Sequence, residues 1–441
     1  MTTAQPTWFG QPRGLTILFL TEMWSQFSYY GMRALLVYYM IKQLLIGQEK
    51  ASFIYGIYTA MAYFTPIIGG VVADRWLGKR RAVTIGAAVM AAGHFMMTFE
   101  PLFYAALATI ALGNGLFLPS LPSQINDLYL PEDPRRGWAY NVYYVGINIG
   151  AFLAPLVCGA LGEFYGWHWG FGAAGIGMLA GLCIYWFGAR YLPPQGPVVR
   201  PQAIDSAPKI KVVSTLWLLV AVGFAVTIFR GSYEQVGNTV ALWIDSGVDR
   251  TVGHAVIPMT WFQSLNPLMV FLMTPLLLAR WRRKAAAGRQ ASSMQKMAWG
   301  ALIVGAAYLL LAVVAFQAQP GRANWIWLTL FFSLFTFGEL HILPTGLGLF
   351  ARVAPIGLGA TTVAAWFLAI FSGSLAAGAV GTLWSATTPG RFFVLLSIIA
   401  ALAAALLLSL DGVTRRTENR RALEAIQPGV LQPFMPVESA R

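Results

Sequence analysis

The sequence predicts an all-α membrane protein with about twelve transmembrane helices, arranged as two six-helix bundles. Three observations predict it. Charged residues make up 11% of the chain and hydrophobic residues 57%, whereas soluble domains carry about 25% charge. Apolar runs of roughly 20 residues or more, long enough to cross a bilayer, recur along the whole chain. Most of the 30 Lys and Arg residues fall in alternate loops, which is the positive-inside pattern and puts both termini on the cytoplasmic side.

The runs follow one another in order. The first, 14–45, starts after Arg13, and the second, 52–73, stops at Asp74 and Arg75. The third, 82–99, follows Lys79, Arg80 and Arg81, and the fourth is 102–128. The fifth, 138–160, follows Arg135 and Arg136, and the sixth, 167–190, closes at Arg190. Then come 213–245, 258–280, 297–317, 323–351, 358–384 and 390–411. Most connections are short, as between antiparallel neighbours. The exception is 191–212, rich in Pro and polar residues, which reads as a cytoplasmic linker. It separates a first bundle, 1–190, from a second, 213–411, and 412–441 is left as a cytoplasmic tail.

The net charge of +13 does not imply nucleic acid, because the cations lie in loops beside the membrane. Cys158 and Cys183 lie in apolar segments with no metal-ligand spacing. No metal, cofactor or catalytic constellation is expected, and the first apolar run is too long for a cleavable signal peptide. The expected setting is a bacterial inner membrane, with a monomer in the bilayer.

Ionisable groups inside a span are costly and mark function. The candidates are Glu22 and Arg33 in the first span, Arg230 and Glu234 in the seventh, and Glu339 with His341 in the tenth. Glu22, Gln26, Tyr29 and Arg33 fall on one helical face with Tyr30 beside them. Such a stripe must face the bundle interior. Opposite charges sharing one low-dielectric cavity suit a zwitterion, which needs an anionic and a cationic anchor.

TEMWSQFSYYGMRALLVYYM (21–40), YFTPIIGGVVADRWLGKRR (63–81), GNGLFLPS (113–120) and the long segment 143–178 resemble the proton-coupled oligopeptide transporters of the major facilitator superfamily. YEQ (233–235), WFQSLNPL (261–268), GEL and PTGL (338–347) and AAWFL (364–368) continue the resemblance in order. It implies the superfamily's two-bundle fold, with the substrate site between the halves. It also implies that Tyr29, Tyr30 and Tyr63 line a peptide cavity and that Asn148 and Asn266 hydrogen-bond the peptide. By the same resemblance Glu339 holds an amino terminus, Arg33 pairs with a protonatable Glu234, and Trp366 closes a wall. Asp74, Arg75 and Arg80 resemble the superfamily's gate motif after the second helix, whose Asp and Arg residues pair across the cytoplasmic gate.

The chain departs from the family pattern where charge matters. Ser25 and Gln26 stand where the family has Glu and Arg, and Leu118 and Ser120 where it has Lys and Asn. Arg230 stands where many relatives have Trp, as a replacement anion anchor or a local partner of Glu234. The expectation is a secondary transporter of small peptides or peptide-like compounds with weakened proton coupling through Glu234, Arg33 and Glu22. The alternatives are a proton-independent facilitator or exchanger of a modified substrate, and a non-transporting sensor.

Overall fold

The computed structural model describes residues 7–129, 133, 135–194, 209–289, 291–318, 321–354 and 359–426. Most of the expected linker, 195–208, and the last part of the tail, 427–441, lie outside the described residues.

Helix α1 (Arg13–Lys42) is 30 residues long, about 45 Å at 1.5 Å per residue. Helix α2 (Gln48–Val72) runs on through a π-helical turn, Ala73–Leu77, and stops at Gly78, whose φ of 75° suits glycine. Next come α3 (Lys79–Met96) and α4 (Phe103–Ser123). Helix α5 (Arg136–Ala154) meets Pro155, which has no N–H to donate. The chain passes the gap with a π turn, Pro155–Gly159, into α6 (Ala160–Tyr165). Helix α7 (Trp167–Gly188) ends the first half.

The second half opens with α8 (Lys209–Tyr233), so the last residues of the expected linker, 209–212, are helical. A 3-10 turn, Glu234–Gly237, interrupts that span before α9 (Thr239–Gly247). Helices α10 (Leu265–Ala286), α11 (Ser293–Ala318), α12 (Ile326–Val353), α13 (Gly359–Thr382) and α14 (Pro389–Ser409) follow. The start of the expected tail forms a further helix, α15 (Asp411–Ile426).

Among the described residues, 10 segments are long and apolar enough to cross a membrane. Neither α1 nor α3 is among them. The charges of α1 and the Lys79–Arg81 cluster of α3 lower their hydropathy, and with these two helices the chain makes twelve spans. Large apolar side chains such as Ile68, Leu112, Phe187, Phe224 and Ile398 stay exposed on the outside, as a lipid-facing surface requires.

Helix α1 packs on α5 and α7, and α4 on α2 and α3. In the second half α8 packs on α13 and α14, and α11 on α12 and α14. The halves touch chiefly where α2 meets α13 and α5 meets α10. Gly56 and Gly378 lie so close that a Cβ on either would strike the other's backbone.

Polar contacts between the halves gather at one end. Lys42 pairs with Asp245 at 2.7 Å. The Ser52 hydroxyl donates to Asn238 Oδ1 at 2.9 Å, and Tyr38 Oη to the Ala241 carbonyl at 2.8 Å. The Glu163 carboxylate accepts the backbone N–H of Met259 (3.0 Å) and Thr260 (2.9 Å) and the Thr260 hydroxyl (2.7 Å). A two-residue parallel strand pair, β3 (Val248–Asp249) with β6 (Ala323–Asn324), ties loops within the second half. Short hairpins form from β1 (Thr7–Trp8) with β2 (Gln11–Pro12) and from β4 (Thr251–Val252) with β5 (Ala255–Val256).

Candidate functional site

The site forms where the polar face of α1 meets the broken span of α8 and α9. Glu234 begins the 3-10 turn, where the change of helical geometry brings its carboxylate between two guanidinium groups. Arg33 of α1 pairs with one oxygen and Arg230, one helical turn earlier on α8, pairs with the other. Arg230 and Glu234 are both only 2% exposed. Isolated charges at such depth cost several kcal/mol each, roughly, so the pairing is what lets them stay there. Arg33 also donates through Nε to Tyr55 Oη at 2.7 Å.

Aromatic rings surround the triad. The Arg230 guanidinium lies 5.3 Å from the Tyr63 ring centre and 4.9 Å from that of Tyr233. Arg33 lies 6.0 Å from the Tyr30 ring, which meets Tyr29 edge to face at 5.3 Å. Ring faces carry partial negative charge and stabilise cations withdrawn from water.

Tyr233 connects this triad to a second carboxylate. Its hydroxyl donates to Glu339 Oε1 at 2.8 Å, while Asn266 Nδ2 donates to Oε2 at 2.6 Å. Asn266 is itself held by the Thr336 hydroxyl at 3.0 Å. Helices α8, α10 and α12 therefore fix Glu339 through neutral donors, with no cation bonded to it among the described residues. Its charge is balanced only at a distance, by the surplus positive charge of Arg33 and Arg230 around Glu234.

Arg33, Arg230, Glu234, Glu339, Asn266, Tyr29, Tyr30 and Tyr63 thus form one connected cluster. Other expected site residues make no hydrogen bond or ion pair to it among the described residues. Glu22 is buried where α1 meets α5, accepts from Gln26 at 2.7 Å and lies beside Tyr143. Asn148 donates to the Tyr144 carbonyl of its own helix at 2.9 Å. Trp366 is 3% exposed and packs edge-on against Phe350, with Gly346 leaving room for its ring. Asp74 and Arg75 are exposed and form no ion pair among the described residues, whereas Arg80 donates to the carbonyls of Leu192 and Pro193. His341 points away from Glu339, its Nδ1 donating to the Phe337 carbonyl at 2.8 Å. No cluster of His, Cys, Asp and Glu suited to a metal ion occurs among the described residues.

Tyr55, Tyr233 and Thr336 were not among the expected site residues. A signal existed for Tyr55: with Tyr58 it places two hydroxyls one turn apart on the helix that carries Tyr63. Tyr233 gave none beyond its position next to Glu234.

The sequence model of the POT family matches residues 80–207 and 194–394. The chain belongs to the POT family. A di-/tripeptide transporter of Lactococcus lactis subsp. cremoris is 30% identical over 92% of this chain and 96% of its own length. A peptide transporter of Yersinia enterocolitica is 32% identical over 85% of this chain and 88% of its own. A crystal structure of the peptide transporter POT in complex with sulfate superposes with a TM-score of 0.87 at 28% identity, covering 94% of this chain and 98% of that one. This POT-family chain is accordingly an all-α, multi-pass membrane transporter of the major facilitator fold, and not an enzyme.

Proposed function

We infer that the protein moves small peptides or peptide-like compounds by alternating access, rocking residues 1–190 against 213–411 around the charged cluster. The observation that carries this reading is the pairing of two unlike anchors. Glu339 is held by neutral donors and is free to take an ammonium group, and beyond the Tyr233 ring lies Arg230, which shares Glu234 with Arg33. That pattern complements a zwitterion, and the related POT transporters carry peptides in their names.

Coupling runs through Glu234. A substrate carboxylate must compete with it for Arg33 and Arg230, and a proton on Glu234 would release both guanidinium groups to the substrate. Because two cations hold one carboxylate, that proton is hard to place, and proton dependence is weak. The polar contacts joining the halves lie at the end away from the basic 75–81 loop, so the cavity opens towards that loop. The positive-inside charge makes that side the cytoplasm, with both termini there. The setting is the bacterial inner membrane, and the working unit is a monomer. The facilitator reading draws support from one observation: both central cations are already engaged by Glu234.

Proteoliposome uptake of labelled di- and tripeptides, with and without an inward proton gradient, tests this. Modest stimulation that disappears in Glu234→Gln is the expected result. Strong accumulation surviving that substitution would move coupling to Glu22 or His341. Uptake indifferent to the gradient in the parent favours the facilitator, and no peptide uptake at all sinks the transport assignment.

A further inference from the structure

A second charged cavity lies away from the substrate site, on the outer surface where α10, α11 and α12 diverge at their basic ends. It holds about 330 Å³. Its cations are Arg280, Lys284 and Lys296, and its walls include Trp281, Trp299 and His341. Lys296 lies 4.8 Å from the centre of the Trp281 ring, which in turn meets His341 edge to face at 5.3 Å. An adjoining hollow shares Arg280 and Lys284 and adds Arg283 and Arg289. No Asp or Glu lines either hollow among the described residues. Glu418, on neighbouring α15, is already taken by Arg352 (3.1 Å) and the Ser293 hydroxyl (2.8 Å). Among the described residues no carboxylate forms an ion pair with Arg280, Lys284 or Lys296, so the cluster is open to an anion from outside.

The surroundings indicate the form of that counter-charge. The pocket lies where α10 passes from an apolar to a basic surface. On its apolar side Trp299 is 62% exposed, Leu276 of the adjoining hollow is 72% exposed, and Ile303 continues the wall one turn deeper along α11. Tryptophan and basic residues at that boundary are the usual pattern at headgroup level. A soluble anion would use only the cations, whereas a phospholipid would use both surfaces. We propose that this pocket is a binding site for an anionic phospholipid, with the phosphate among Arg280, Lys284 and Lys296 and the acyl chains along Leu276, Trp299 and Ile303. The bound lipid bridges α11 and α10, the helix that carries Asn266.

The test is lipid retention by delipidated protein in native mass spectrometry, using phosphatidylglycerol and phosphatidylcholine of matched chains. The parent should prefer phosphatidylglycerol. Each basic residue near a headgroup contributes roughly fivefold in affinity, so the triple variant Arg280→Gln, Lys284→Gln, Lys296→Gln should lose on the order of a hundredfold and with it the preference. A control with the same charge change, Arg282→Gln, Arg415→Gln, Arg416→Gln, should keep it. Equal binding of the two lipids by the parent, undiminished preference in the triple variant, or equal loss in the control would each overturn the proposal. Displacement of phosphatidylglycerol by inorganic phosphate would overturn the lipid assignment in favour of a free-anion site. If the triple variant fails to fold, the single substitution Lys296→Gln should still lower phosphatidylglycerol retention several-fold, and unchanged retention there would refute the site.

Discussion

Glu339→Gln isolates the ammonium anchor with little disturbance elsewhere. In the parent the carboxylate accepts from Tyr233 and Asn266, and both are neutral. The amide keeps one carbonyl acceptor, and its NH2 can donate to the Tyr233 hydroxyl oxygen. Asn266 also retains its bond to Thr336 at 3.0 Å. Folding should therefore change little. By contrast, Glu339→Ala leaves buried donors without an acceptor, at about 1–3 kcal/mol each. What the amide loses is a charge-assisted bond to a ligand ammonium, about 1.5–3 kcal/mol. At 1.4 kcal/mol per decade, affinity for free-amine peptides should fall on the order of ten- to a hundredfold. N-acetylated analogues lack that ammonium and should bind parent and variant alike. Ligand-induced thermal stabilisation across matched free and acetylated peptides measures both, since a bound ligand raises apparent stability. Unchanged affinity for free-amine ligands in a folded Glu339→Gln protein would remove Glu339 from the site. An equal loss for acetylated ligands would show a change of cavity shape instead of a lost charge contact.

Two further substitutions probe the other anchor and the closed end. Arg230→Trp removes a guanidinium that pairs with Glu234 and should weaken carboxylate-bearing ligands several-fold more than their amides; equal weakening in the same thermal assay would reduce Arg230 to a partner of Glu234. Gly56→Val forces a side chain into the backbone of Gly378 and should push α2 from α13, lengthening spin-label distances across that end by a few ångströms; an unchanged distance distribution would rule out tight α2–α13 contact as the closure.

The sequence made the spans legible because the bilayer imposes a length and a polarity that few other environments demand. The polar face of α1 was legible for the same reason: Tyr29 and Arg33 in an apolar span have only the interior to face. The interruption of α8 at Glu234 was not. The 3-10 turn there brings the carboxylate to Arg33, 201 residues away on α1, and the expectation of that pair came from the family resemblance, not from any local pattern around Glu234. Glu22 shows the converse. It lies on the same helical face as Arg33, but the stripe extends beyond the cavity, so Glu22 ends against α5 with Gln26. For Arg230 the structure adds the pairing with Glu234, and the Arg230→Trp assay decides between that partnership and an anion anchor. Helix α15 escaped notice because its composition is that of a solvated tail, whereas Glu418 ties it to Ser293 and Arg352.

The central cluster also sets how the transporter meets the membrane voltage. Arg33 and Arg230 are matched by Glu234 and Glu339, so these four groups sum to zero when ionised. Moving one elementary charge through 100 mV involves about 2.3 kcal/mol, and a neutral cluster avoids that work when the empty protein reorients. A zwitterionic passenger adds no net charge. On the proposed mechanism, turnover without a proton is electrically silent, while every proton carried on Glu234 appears as one charge of inward current. Current recorded on solid-supported membranes, divided by peptide flux, therefore counts the protons moved per peptide.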